Sequence, residues 1–502
     1  MMQATLTHPL YTYALEDWTL MRDCYKGEKQ VKSKGEVYLP ATSGHQIDGM
    51  LSGQLGKEAY DSYKKRAVYH NFPYDAVESY IGLLHYKPTQ INLPKEMEFL
   101  RSKATINGDS LSYLLRRIHA QQLITGRVGL LADIDSSGSG MPYIAVYHAE
   151  NIVNWDEGSD NVGMNALNLI VLDETEWVRN NGLGWSEEVK YRVLSLGDVF
   201  ANEEDRQSSI YSQSILLGNV DTATPSDFIT PKYRGQTLNE IPFVFVNSKD
   251  VLATPDTPPL LGLANLSLAI YRAEADYRHT LYMQGQDTLV VIGGVNHGED
   301  SATRVGAGAK IDVDPGGDAK FIGVSSSGLA EMRQAIANDK EAAVGKAGQL
   351  MNSNSKQESG DALKIRMAAQ TANLNQVAVT AAYALEELLK KVARWMNLDD
   401  SQVVVIPNLQ FSDKDMRGQD FAQLIAAKNT GLLPLADESV HNILKEQGYT
   451  KLTYEEERKL MKKNVLEPPI KPETTSGDVG VQQPTASMAV DRVTVNNKPI
   501  NG

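Results

Sequence analysis

Few residues of this chain invite a chemical reading. Gly306-Ala307-Gly308-Ala309-Lys310 has the glycines and lysine of a loop that could cradle phosphates with backbone N–H groups and an ammonium. The full spacing is missing, no Ser or Thr follows the lysine and no long helix starts there, so the stretch reads as a glycine turn between strands. Asp133-Ile134-Asp135-Ser136-Ser137-Gly138 has the alternating oxygens that open a calcium loop. Its twelfth position is Ile144, where a bidentate glutamate is required, and a hairpin loop is the better reading. The nine histidines contain no His-x-x-x-His pair. Cys24 is the only cysteine, which removes intrachain disulfides and cysteine-based metal clusters and leaves a buried or indifferent thiol. No Gly-x-Ser-x-Gly elbow occurs and the carboxylates are scattered. These patterns point to no catalytic residue, no cofactor and no metal, and so to a protein that is not an enzyme unless residues distant in sequence assemble a site.

The polar stretch Asn352 to Gly360 is informative in another way. Asn352, Ser353, Asn354, Ser355, Lys356, Gln357, Glu358, Ser359 and Gly360 include no apolar side chain, so the segment cannot pack. The elements that must position it run from Pro258 to Trp395 and read as helix, small β-rich insert, helix, polar loop, long helix. The first helix opens at Thr257-Pro258-Pro259 and ends at Gly285. It carries two adjacent apolar stripes, Ala264, Leu268, Tyr271, Ala275, Tyr282 and Leu263, Leu266, Ile270, Ala273, Tyr277, Leu281. Asn265, Arg272, Asp276 and His279 are left on a third face, which predicts a helix covered on two sides and wet on the other. Short strands are expected at Thr288 to Ile292, Ala309 to Val313 and Lys320 to Val324. Helical spacing resumes at Leu329, with Met332, Ile336, Ala343, Ala347 and Leu350 in near-heptad register. Gly345 and Gly348 each weaken that helix by about 1 kcal/mol relative to alanine, which points to a kink or the close approach of another backbone. The third helix carries Leu374, Val377, Ala381, Leu385, Leu388, Val392 and Trp395 along one stripe.

At 502 residues, 42% hydrophobic and 22% charged, the chain has globular composition and length for more than one core. No run reaches the roughly 20 apolar residues of a membrane span. Met1 to Leu20 lacks the pattern of a signal peptide, which predicts a soluble, unexported protein. A net charge of −14 argues against a protein that grips nucleic acid, since grip comes from Lys and Arg releasing counterions. It remains compatible with a wall past which nucleic acid slides without sticking, or with acidity that serves solubility alone.

Residues 1 to 125 read mainly as helices: Leu15 to Tyr25, Lys57 to Asn71 and Asp109 to Leu123, with Val31 to Pro40 as an extended linker. Lys64 to Arg66 reads as a solvated basic face. Val128 to Asp133 and Tyr143 to Tyr147 form a hairpin, and Ala166 to Leu172, Val189 to Leu194 and Ile241 to Val246 are further strands of an α+β domain. Asn202 to Gln236 reads as polar and irregular. Phe411 to Asn464 is helical with breaks at Gly431 to Pro434 and at Gly448, and residues 465 to 502 are expected to be disordered.

Several segments, in order and spacing, resemble a portal-like group of tailed-phage proteins often labelled only as a domain of unknown function. They are Tyr60-x-x-Tyr63-x-x-Arg66-Ala67 with Asn71; Gly82 and Lys87-Pro88; Gly126-Arg127-Val128-Gly129-Leu130-Leu131-Ala132-Asp133; and Pro142-Tyr143 with Tyr147-x-Ala149-Glu150-Asn151-Ile152-Val153-Asn154-Trp155. The resemblance covers roughly residues 15 to 410. It implies a portal fold: an α/β wing over 1–257, stem helices over 258–285 and 326–351, a small β-rich clip over 286–325, a tunnel loop over 352–360, a long wing helix and return over 361–411, and a helical crown over 412–464, before the tail at 465–502. By the same resemblance the protein would be a virion component, assembled in the host cytoplasm as a homo-oligomeric ring of about twelve subunits at one capsid vertex. Double-stranded DNA would pass through it without sequence specificity. Its partners would be the terminase large subunit, the head-tail adaptor, and the major capsid and scaffold proteins. Asn352 to Glu358 would face DNA, with Lys356 the best single candidate for phosphate contact, and the clip residues Asn296, His297, Glu299, Asp300 and Arg304 are docking candidates. Another oligomeric virion connector without a DNA channel, or an enzyme of unrecognised class, is the alternative.

Overall fold

The computed structural model describes residues 6–47, 54–135, 140–157, 167–180, 182–196, 210–218, 228–284, 288–292, 316–322, 327–347, 360–411, 425–426, 428, 436–446, 450 and 452–465. They belong to two compact units, Met1–Ser412 and Asp413–Gly502. The first mixes helices with antiparallel sheets, the α+β class expected.

It opens with α1 (Pro9–Lys26), α2 (Glu28–Ser33), α3 (Ser43–Ile47), α4 (Gln54–Arg66), α5 (Phe72–Leu84), α6 (Phe99–Ser102) and α7 (Leu111–Ile124), with the short strand β1 (Gln90–Asn92) between α5 and α6. At the start of α1 the His8 ring accepts from the Leu10 N–H, and Pro9 fills a position whose N–H has no helical partner. The helix ends at Gly27, at φ +89°, where a Cβ would also meet Asn71 Nδ2 at 2.8 Å. From there the chain turns straight into α2, which corrects the expectation of an extended linker over Val31 to Pro40: that stretch holds the end of α2 and a 3-10 turn, Gly35–Val37. Val31 is fully buried, Tyr38 donates to Asp23 Oδ2 at 2.8 Å and Tyr60 donates to the Leu39 carbonyl at 2.7 Å. One apolar residue in the whole of α2 is too little periodicity to announce a helix.

The sheet strands are β2 (Arg127–Ile134), β3 (Pro142–His148), β4 (Ile152–Glu157), β5 (Leu167–Asp173), β6 (Glu176–Arg179), β7 (Trp185–Glu188), β8 (Lys190–Leu196), β9 (Tyr211–Leu217) and β10 (Phe243–Asn247). One sheet has the order β10-β2-β3 and a second β4-β5-β8-β9. The expected hairpin and the three further strands are present within a residue or two. Strand β9 corrects the irregular reading of Asn202 to Gln236. Its Tyr211-Ser212-Gln213-Ser214-Ile215-Leu216 buries serines as well as Tyr211 and Leu216, so the alternation looks polar in sequence.

Strand β2 is buried on both faces. Val128, Leu130 and Ala132 share a core with α7 and with the later helix Gly360–Trp395, while Leu131 packs with Ile152, Ile170, Leu172 and Leu194 of the second sheet. Gly129 must be glycine, because a Cβ there would lie 2.3 Å from Phe243 Cζ.

After β10 comes α8 (Leu261–Gln284), then β11 (Thr288–Ile292) and β12 (Asp318–Ile322), which pair antiparallel, then α9 (Ser327–Ala347) and α10 (Gly360–Trp395). The strand expected at Lys320 to Val324 starts two residues earlier, and the one at Ala309 to Val313 lies outside the described residues. Thirty-six residues of α10 span about 54 Å at 1.5 Å each. It closes with Asn397 at φ +56°, the Leu398 N–H reaching the Ala393 carbonyl at 2.9 Å and the Asn397 N–H reaching that of Arg394 at 3.0 Å, a Schellman stop with asparagine in the left-handed position. Strand β13 (Val404–Ile406) then pairs with β1.

In the second unit the described helices are Asp437–Glu446 and Tyr454–Val465. Thr453 and Glu456 exchange hydrogen bonds as a capping box at the start of the latter. Apart from Val465, the expectation for residues 465–502 lies outside the described residues.

Candidate functional site

The stretch of most interest is the helical hairpin α8–α9. The first half of α8 belongs to the body: Leu263, Ala264, Leu268, Ile270, Tyr271 and Ala275 share a core with Met21 and Cys24 of α1, Tyr60 and Tyr63 of α4 and Ala76, Val77, Tyr80 and Ile81 of α5. Cys24 is the buried thiol expected, pushed up to about 12 by desolvation. Past Ala275 no described residue of α8 is buried, and Leu281, Tyr282 and Met283 are 43%, 54% and 56% exposed. In α9 only Ile336 and Ala343 of the near-heptad stripe are buried; Leu329 and Met332 are half-covered. The hairpin therefore has a seated half and a distal half whose described side chains are half-covered or exposed apart from Ile336.

A charged knot lies where the two halves meet. Glu274 is buried at 3% exposure, and its carboxylate accepts from Lys340 Nζ of α9 at 2.5 Å and from Arg278 Nε at 2.7 Å, with His70 Nε2 at 3.4 Å. Burial alone would raise its pKa, but the Lys340 and Arg278 hydrogen bonds outweigh burial and hold the carboxyl below the ordinary glutamate value. One turn on, Tyr63 donates to Asp276 Oδ1 at 2.5 Å, Arg66 Nη2 lies 3.2 Å from His279 Nδ1, and the Arg66 guanidinium stacks 4.1 Å over the Tyr282 ring. Burial, then Arg66 and His45, push His279 below the usual histidine value.

These contacts refine two readings. Asn265, Arg272 and Asp276 are exposed as the helical spacing requires, yet the wet face is engaged: Arg272 Nε donates to the Tyr38 carbonyl at 3.0 Å and Asp276 and His279 meet α4. The basic run of α4 is not one solvated face. Lys64 pairs with Asp61 at 3.2 Å, whereas Arg66 is turned onto α8.

Gly345 lies inside α9, and among the described residues a Cβ there would meet nothing within 4 Å, so none of their backbones approaches it closely. Gly348 lies outside the described residues, as do Asn352, Ser353, Asn354, Ser355, Lys356, Gln357 and Glu358, and Asn296, His297, Glu299, Asp300 and Arg304. Among the described residues no group of three or more His, Cys, Asp or Glu could hold a metal ion, and no helix is long and apolar enough to cross a membrane.

The structure also joins two distant sequence runs. Gly126, at φ +74°, has the Asp256 and Thr257 carbonyls 3.2 and 3.3 Å from where a Cβ would sit. Arg127 beside it is fully buried between the rings of Trp155 at 4.5 Å and Phe245 at 4.1 Å, and its Nη1 donates to the Ala253 carbonyl at 2.5 Å. Desolvation lowers its pKa to about 9. Glu150, in the same run as Trp155, pairs through both oxygens with Arg22 of α1. The Gly126–Asp133 and Glu150–Trp155 segments are thus two halves of one packing unit between the sheets.

Residues 259–396 match a family described as "Domain of unknown function (DUF4055)". That span begins two residues before α8 and ends one residue after α10. No curated protein matches the chain. Among solved structures, a chain described as "Neck of native GTA particle computed with C12 symmetry" is 14% identical, the match covering 74% of this chain and 88% of that one at a TM-score of 0.37. A chain described as "Virion of native gene transfer agent (GTA) particle" is 13% identical over 74% and 88%, at a TM-score of 0.36. Overlap at that level carries no argument about fold or function.

Proposed function

We propose that this chain is a portal subunit of a phage-type particle. It forms a ring at a single capsid vertex that serves as the channel for genome packaging and ejection and as the platform for terminase and the head-tail adaptor. The observation that carries the reading is the unfinished packing of the α8–α9 hairpin. In its distal half Leu281, Tyr282 and Met283 are 43%, 54% and 56% exposed, with Arg66 of α4 over one face of the Tyr282 ring. Burying a large apolar side chain contributes about 1.5–3 kcal/mol, and a subunit with neighbours on both sides supplies that cover at every copy. Contacts between unlike faces of successive copies close into a ring when the rotation per subunit allows. The sequence resemblance over residues 15 to 410 supplies the particular ring.

In this reading Asn352 to Glu358 border the lumen, with Lys356 making transient phosphate contacts. The clip residues Asn296, His297, Glu299, Asp300 and Arg304 belong to the docking end. The subunit performs no chemistry of its own, and ATP hydrolysis belongs to the packaging partner. The double variant Leu281→Glu/Met283→Glu tests the lateral contact. Both side chains are exposed in the single chain, so Tm of the unassembled chain should move by no more than a few degrees, while sedimentation velocity should show the loss of assemblies that the unaltered chain forms. Unchanged assembly in the variant, or an unaltered chain that stays monomeric at high concentration, would contradict the proposal.

A further inference from the structure

Strands β5, β6, β7 and β8 are two halves of one ribbon. Leu169 pairs with Ser195, Asp173 with Tyr191, Glu176 with Glu188 and Arg179 with Trp185, a single unbroken register, and the Glu174 N–H reaches the Lys190 carbonyl at 2.8 Å across the join. The outer end, β6–β7, packs chiefly on itself. With a period of two, Trp177, Arg179, Trp185 and Glu187 share one face of it. Trp177 is 64% exposed, Trp185 62%, and Leu183 at the turn 88%. Two exposed indoles set diagonally on one face of a hairpin are an interaction surface rather than scattered exposure.

The other end of the same ribbon borders a cleft of about 210 Å³, with Leu167, Leu196, Ile241 and Phe243 in its wall and Glu157, Lys391 and Arg394 among its lining residues. That volume is below the roughly 300 Å³ at which drug-sized ligand pockets begin, and is of a size to take a single side chain. We infer that the Trp177/Trp185 hairpin of one copy docks over this cleft of the next copy in the ring with one indole inserted, an inference that rests on the ring reading. A chain cannot fill its own cleft, because the ten residues of strand from Leu167 to Trp177 put about 30 Å between them. Charge fits the pairing. Arg179, between the indoles, donates only to the Gly182 carbonyl among the described residues, and Glu157 at the cleft has no salt bridge to a described residue. Lys391 and Arg394 in the wall are already held by Glu240, and Arg394 by Asp400 as well, so the opposite charges left to meet are Arg179 and Glu157. Hairpin and cleft are different surfaces of one chain, so the contact is head-to-tail, the kind that generates rings.

Cross-linking tests this in the full chain. Cys24 is buried, so Leu183→Cys at the hairpin tip and Asn239→Cys at the cleft give two accessible thiols, and a bis-maleimide too short to span one chain reports only contacts between copies. The double-cysteine chain should give a covalent ladder of multimers and each single-cysteine chain monomers only. Adding Trp177→Ala and Trp185→Ala should cut the ladder at least tenfold. Rings of full mass with no ladder, or a ladder that survives loss of both indoles, would overturn the docking and leave the ring reading standing. A chain that neither assembles nor cross-links at high concentration would overturn both.

Discussion

Glu274 is the side chain that ties the two helices of the hairpin together, through Lys340, with His70 of the body at 3.4 Å. Replacing it by glutamine leaves Lys340 and Arg278 facing a weaker, neutral acceptor, and should cost about 1–3 kcal/mol of unfolding free energy at neutral pH. Its folded pKa is depressed, so its contribution is present in full above the unfolded value of 4.5 and is lost as the pH falls through the lower folded value. Urea titrations of the unaltered chain and Glu274→Gln should show a gap that closes on acidification; a gap that stays constant as the pH falls well below 4.5 would contradict this role. The residue was not legible in advance. It falls between two apolar stripes, four residues after Ile270, and its main partner lies 66 residues further on, beyond any local pattern. Arg127 was half legible: the glycine-arginine strand and the run ending in Trp155 stood out separately, while their meeting as a buried cation between two rings needed the fold.

At the scale of elements, α8, the start of α9 and the buried stripe of α10 could be read from spacing alone, because long amphipathic helices repeat their signal many times. Short elements did not. Helix α2 carries a single buried apolar residue, and β9 hides serines inside, so period and polarity both mislead. The loop that gave the sequence its most distinctive polar stretch lies outside the described residues. For α9 the glycines can be weighed against their surroundings. Gly345→Ala meets no neighbour and should stabilise the isolated chain by about 1 kcal/mol through helix propensity, measured by thermal melting; a loss of stability would show that the position needs a glycine after all. If the flexibility at Gly345 and Gly348 serves passage into the polar loop, the double alanine variant should assemble normally and package poorly.

At the scale of the whole molecule, the chain has a well-buried α+β body, a hairpin whose far half keeps exposed apolar side chains, and a hairpin arm with two exposed indoles on one face. Each surface remains unfinished in one copy and can be completed by another. A net charge of −14 suits a conduit past which a polyanion slides more than a surface that holds it. The measurement that bears most directly on this account is the mass and outline of the particle formed by the purified full chain, by mass photometry with negative-stain images. The account predicts a closed ring of about twelve chains with a central hole; a monomer or dimer at all accessible concentrations, or a compact oligomer without a hole, would contradict it.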